Sequence, residues 1–217
     1  MRKKYTTLLV FSILLIMLIG ISFYFLYSNN KPEEQSQSSS NTLLQQQKEF
    51  IRDNNYITEG SKKSKVHVVV FTDYRCSHCS NYYYNQKLSW LQKYIDTGKV
   101  KYTEIPFPVI DKESNNYEKM ARVIQTRNDS KTLIEFTKKS YQSSSIDNNP
   151  IKTLKRVNLN SKTFHDITNE YKSSNIKSNK SEIQDKFDIT STPTVFVNGR
   201  FVRDIDFMKK MVEEEIK

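Results

Sequence analysis

Cys76-Ser77-His78-Cys79 holds both cysteines of the 217-residue chain. Two thiols two residues apart can close a small disulfide, open it against another thiol and so exchange two electrons. The same spacing can supply half of a four-ligand zinc site. The remaining ligands would have to come from His67 and His165, which stand isolated in the chain, so no metal is expected here. A third reading makes the pair a structural staple on a surface binding module. Cross-linking so short a loop removes little chain entropy, which argues against that role. If Cys76 opens a helix, unpaired N–H groups and the positive dipole end stabilise its thiolate. Cys76 is then the nucleophile and Cys79, a turn further in, the resolving thiol. His78 lies between them and, when protonated near the Cys76 sulfur, adds to that stabilisation. A stabilised thiolate makes the disulfide more oxidising.

Ser191-Thr192-Pro193-Thr194 is the second informative element. A proline directly before a β-branched strand reads as a cis bond or as an ordinary trans proline opening an edge strand.

The elements that must position these residues follow from pattern. Val66 to Thr72, rich in β-branched residues, reads as a buried central strand. A helix is expected from about Ser77 to Ile95, with Leu88, Leu91 and Ile95 on one side and Gly98 at its end. Val100 to Ile105 is the next strand, closed by Pro106 and Pro108. Strand, helix and strand together predict a parallel pair. A helical block follows at about 112–187. Tyr117, Met120, Ala121 and Ile124 repeat at helical spacing after a cap at Ser114, and Leu133 and Phe136 suggest a second helix. Asn149-Pro150 reads as cap and first position of another, Phe164, Ile167 and Tyr171 continue after Ser161, and Ile183 and Phe187 fit a last one. Thr194-Val195-Phe196-Val197 and Phe201-Val202 flank Asn198-Gly199-Arg200, a hairpin signal because both turn positions need positive φ. An amphipathic helix from about Asp206 to Ile216 ends the chain. The class is α/β, a sheet with helices packed on it.

Leu8 to Tyr27 is almost wholly apolar, preceded by Arg2-Lys3-Lys4, with Lys31 the first charge after it. That length spans a bilayer, and the flanking charge keeps the N-terminus cytoplasmic and exports the rest. A cleaved signal peptide is the alternative. The run is long and ends in Phe23-Tyr24-Phe25-Leu26-Tyr27 with no small-x-small site, which favours an uncleaved anchor. The expected organisation is an anchor at 1–28, a polar tether at 29–54 and a folded domain at 55–217. Within the tether, 28–40 reads as flexible and Asn41 to Asp53 as a short helix. Lys plus Arg is 34 against 24 Asp plus Glu, a net charge of +10. The charge is scattered and reads as a solvated basic surface, so no nucleic acid is expected as a partner.

Phe71-Thr72-Asp73-Tyr74-Arg75-Cys76-Ser77-His78-Cys79 resembles the active-site segment of the thioredoxin-fold disulfide oxidases of the DsbA type. Thr192 to Gly199 is similar to the cis-proline loop and hairpin of the same family, and the order of elements over about 55–217 is similar too. Anchor and tether resemble the membrane-bound Gram-positive, BdbD-like members. The resemblance implies a thioredoxin fold with a helical insertion. It also implies an extracytoplasmic protein-disulfide oxidoreductase that passes a Cys76–Cys79 disulfide to exported protein thiols through a mixed disulfide. A reductase or isomerase of the same fold is the alternative. It implies no cofactor beyond that disulfide, and reoxidation by a DsbB-like membrane quinone reductase. Thr192 and Pro193 would face the dithiol and offer backbone to an extended substrate. Ser77 and His78 would tune the potential. The family often has proline where Ser77 stands, and Arg75 replaces the tryptophan of reducing thioredoxins.

Overall fold

The computed structural model describes residues 14–24, 32–142 and 148–217. Two compact units divide at Asn41 and Thr42. In the first, residues 14–24 are helical with every side chain exposed. No helix among the described residues is long and apolar enough to cross a membrane. The rest of the span anticipated at Leu8–Tyr27 lies outside the described residues.

Helix α1 (Pro32–Asp53) begins well before the helix expected at Asn41, within the stretch read as a flexible tether. Pro32 stands at its first position, where the missing N–H costs nothing, and no breaker follows. Its end is anchored by Phe50 and Ile51, both buried against the sheet.

Five strands form one sheet in the order β1-β3-β2-β4-β5: β1 (Thr58–Gly60), β2 (Val66–Thr72), β3 (Val100–Pro106), β4 (Thr194–Val197) and β5 (Arg200–Phe201). Strands β2 and β3 run parallel, from Val66 opposite Val100 to Thr72 opposite Pro106, as the strand–helix–strand pattern requires. Strand β4 pairs antiparallel with β2, setting Phe71 opposite Thr194, and turns into β5 through Asn198 and Gly199, both at positive φ. Pro106 closes β3 from inside the strand rather than after it. Strand β1 pairs antiparallel with β3 and has no counterpart in the sequence reading, because three residues without an apolar run leave no period to detect.

Strand β2 is buried throughout. One face, with Val66, Val68 and Val70, packs on Leu91 and Ile95 and on Met208, Met211 and Val212 of α9 (Ile205–Glu215). The other, with Val69 and Phe71, meets Phe50 and Ile51 of α1 and Ile183 and Phe187 of α8 (Lys180–Phe187). The helix expected over Ser77–Ile95 is continuous but changes winding: α2 (Ser77–Tyr82), a π-helical stretch Tyr83–Leu91, then α3 (Gln92–Asp96). Tyr83, Lys87 and Leu91 face inward together at i, i+4 and i+8; Leu91 is expected there, whereas Lys87 is a charged residue on that buried face.

The inserted block is α4 (Lys112–Thr126), α5 (Ser130–Gln142), α6 (Pro150–Leu154), α7 (Ser161–Ser173) and α8. Asn149 caps α6, with Pro150 at its first position. Helix α4 is capped by Asp111, and Ser114, expected as the cap, is the third residue of a reciprocal capping box. Asn160 caps α7, which starts at Ser161. The block has its own core, built on Tyr117, Met120, Ile124, Phe136, Leu154 and Ile167, and both cysteines sit on its wall.

Candidate active site

Strand β2 delivers the chain to Asp73, and a tight turn follows in which Cys76 N–H donates to Asp73 O at 3.0 Å. Cys76 is the N-cap of α2, in extended conformation with φ −81° and ψ 120°. Its sulfur therefore lies where the first helical N–H groups have no partner. Cys76 is 4% exposed and Cys79 is 0% exposed, so the second cysteine is closed to solvent. Both are free thiols here.

The Thr192–Pro193 peptide bond is cis and faces the dithiol, with the Cys76 thiol donating to Thr192 O at 3.5 Å. Thr194 Oγ1 donates to Ser191 O at 2.7 Å and fastens the turn to the start of β4. The Thr192 hydroxyl is buried with no hydrogen-bond partner of ordinary geometry. An ionised sulfur is the acceptor its surroundings offer.

The two thiols are driven apart in acidity. A hydrogen bond from Cys79 is the largest influence on Cys76; burial opposes it, and the Thr192 side chain and the N–H groups of Cys79 and His78 add to it, so Cys76 falls to about 5. Burial pushes Cys79 far upward, and its bond to Cys76 pushes the same way. The Asp73 N–H, donating to Cys79 Sγ at 3.5 Å, pulls weakly against this. The stabilisation comes first from the Cys79 thiol, then from Thr192 and helix-start backbone, and neither the His78 ring nor Arg75 is among its main sources. His78 and Ser77 point to solvent beside the dithiol. Arg75 Nε is engaged by Asp111 Oδ2 at 2.8 Å.

Two groups beneath the site escaped the sequence reading. Asp73 is 2% exposed and its carboxylate accepts four hydrogen bonds. They come from Arg75 N at 2.8 Å, Val109 N at 2.7 Å, Ile110 N at 2.9 Å and Ser114 Oγ at 2.9 Å. It ties the turn before Cys76 to the loop after β3 and to the first turn of α4. An aspartate two residues before a turn N–H was the available signal. Glu104 on β3 accepts from Tyr141 Oη at 2.7 Å, Thr72 Oγ1 at 3.1 Å and Tyr102 Oη at 3.2 Å. Burial raises its pKa, against the pull of Lys87. Lys87, buried on the inward face of the π-helical stretch, pairs with Glu59 of β1 at 2.7 Å.

His67 is buried on β2, with Nε2 2.8 Å from Thr103 Oγ1, and is packed there rather than ligating. No group of three or more His, Cys, Asp or Glu among the described residues could hold a metal ion.

Residues 52–214 match the model of a family described as thioredoxin. Among curated proteins, a probable disulfide bond formation protein D of Bacillus cereus is 27% identical over 168 residues, covering 73% of this chain and 77% of that one. Among solved structures, oxidised BdbD from Bacillus subtilis superposes with a TM-score of 0.63 at 21% identity, over 76% of this chain and 94% of that one. The thiol-disulfide exchange protein alpha-DsbA2 from Wolbachia pipientis gives a TM-score of 0.62 at 21% identity, over 81% and 95% of the two chains. The helix-capping dithiol, the cis-proline loop facing it and the inserted helices coincide with these likenesses: the chain belongs to the thioredoxin family and is a protein-disulfide oxidoreductase of the DsbA type.

Proposed function

We propose that the enzyme is a thiol oxidase that works outside the cytoplasm and donates a Cys76–Cys79 disulfide to exported proteins. A client thiolate attacks Cys76 Sγ, the S–S bond breaks and Cys79 leaves with the electron pair, taking up a proton because its buried thiolate is strongly disfavoured. The mixed disulfide joins the client to Cys76. A second client thiolate then attacks the client sulfur and expels Cys76 as a thiolate. The client is oxidised by two electrons and the enzyme is left as a dithiol. Rates of exchange rise as the leaving thiol's pKa falls, so a Cys76 pKa of about 5 favours the second step. The observation on which the reading rests is the geometry behind that acidity, Cys76 at the start of α2 facing the cis Thr192–Pro193 loop. A stabilised reduced form makes the disulfide a stronger oxidant, the property that separates an oxidase from a reductase of this fold.

An extended client segment would lie along the cis-proline loop, with Thr192 and Pro193 offering backbone. The apolar stretch Leu8–Tyr27 would anchor the enzyme with its catalytic domain outside, and a DsbB-like membrane quinone reductase would return the dithiol to the disulfide. The name of the Bacillus cereus relative, a disulfide bond formation protein, supports this direction. The test is a Cys79→Ala variant of the full chain expressed in cells. It should accumulate exported proteins and one membrane protein as mixed disulfides on Cys76. Capture of cytoplasmic proteins alone would overturn the proposed location, and capture of none the mixed-disulfide route.

A further inference from the structure

A groove outside the dithiol chemistry runs between α1, β1 and the end of α4, with an open volume of about 900 Å³. Lys48 and Arg52 of α1 and Lys62 beyond β1 line it, and no acidic side chain does. Arg52 is partnered by the exposed Asp53 at 2.9 Å. Lys48 and Lys62 form no ion pair among the described residues. Lys101 of β3 lies close enough to Lys48 to be lowered by it, after burial, and both lysines add to the burial that holds the His67 ring neutral. Like charges on α1 and β3 thus lie near enough to act on one another.

Two further features belong to the same walls. Ser130, the first residue of the 13-residue helix α5, opens onto the groove, while Asp129 beside it is engaged by Thr132 N at 3.0 Å. Gln125, on the groove wall, is 4% exposed, and neither its amide nitrogen nor its oxygen has a hydrogen-bond partner. Gln47, one residue from Lys48, is in the same condition at 0% exposure. Three cations with no acid in the lining complement a multiply charged oxyanion.

We propose that this groove binds the phosphate groups of an anionic ligand, as a site separate from the dithiol. It is too large for a single phosphate and suits a run of them or a phospholipid headgroup surface. In one arm, tripolyphosphate is titrated into the full chain in neutral detergent, read by calorimetry at low and high salt. Lys48→Gln/Lys62→Gln is compared with a control, Lys209→Gln/Lys210→Gln, on α9. The groove variant should lose about tenfold or more in affinity, the control should change little, and salt should weaken the binding. In the second arm, the chain is placed in neutral and in anionic phospholipid nanodiscs and acylation of Lys62 is followed. Protection by anionic lipid alone assigns the phosphate to a headgroup, and binding of tripolyphosphate alone to a soluble ligand. Cys76 alkylation rates should be unchanged in both variants. Equal loss in the two double variants, or no binding and no protection, would overturn the proposal.

Discussion

The Thr192 hydroxyl carries a specific part of the case for an acidic Cys76, and Thr192→Val removes it while keeping the branched shape beside Pro193. At pH 7 a thiol with a pKa of about 5 is about 99% ionised, against about 3% for an ordinary cysteine. A hydrogen bond to a charged group contributes about 1.5–3 kcal/mol, or roughly one to two pKa units. Backbone N–H groups and the Cys79 thiol remain in the variant, so the midpoint should rise from about 5 to between about 6 and 7, not to the free value. The reduced form then loses stabilisation, and the disulfide should become less oxidising by about 30–60 mV. Because the folded pKa lies below the unfolded one, Cys76 stabilises the folded dithiol above about pH 8.5, and that contribution is lost as pH falls through 5. In the variant the loss begins at higher pH. Thiolate absorbance and alkylation rate against pH measure the midpoint directly. A midpoint still at about 5 in Thr192→Val would refute the assignment and leave the thiolate to the helix start and Cys79 alone.

Other residues give independent tests. Asp73→Ala removes the acceptor of four hydrogen bonds and should destabilise by about 3 kcal/mol or more in urea, against about 1 kcal/mol for Ser114→Ala; equal small losses would show that the carboxylate is not the tie between turn and insertion. Ser77→Pro places proline at a first helical position whose N–H has no backbone partner and whose preceding residue is already extended, so it should stabilise the reduced protein by about 0.4–1 kcal/mol on thermal unfolding. Lys87→Met leaves Glu104 and Glu59 without their buried cation and should cost about 3–5 kcal/mol at neutral pH. The raised Glu104 pKa means the folded form favours the protonated acid, so this deficit should shrink as pH falls and widen as it rises; a deficit independent of pH would count against a charged Glu104–Lys87 interaction.

What could be read in advance was what leaves a local pattern. Val66–Thr72 announces a buried strand by composition, Cys76 and Cys79 by spacing, and Asn198-Gly199 by the φ its turn demands. Groups defined by what surrounds them were not legible. Asp73 is an ordinary polar residue until the loop at Val109–Ile110 and Ser114 close over it. Glu104 sits in a strand whose neighbours Tyr141 and Lys87 arrive from distant helices, and Lys87 occupies a buried position where the pattern looks for an apolar residue. Asp111 outcompeted Ser114 as the cap because the serine hydroxyl is drawn to Asp73. The place of His78 between the cysteines suggests a direct role for its ring, yet it projects to solvent, and the Cys79 thiol, Thr192 and backbone supply the stabilisation.

The central claim, that this dithiol is poised to oxidise, is tested most directly by its reduction potential. Full-length protein equilibrated with defined ratios of reduced and oxidised glutathione, with the Cys76–Cys79 state read by mass-tagging, should give a value more positive than about −200 mV, toward the about −120 mV of DsbA. A value near about −270 mV, that of thioredoxin, would contradict the account and assign the enzyme to reduction.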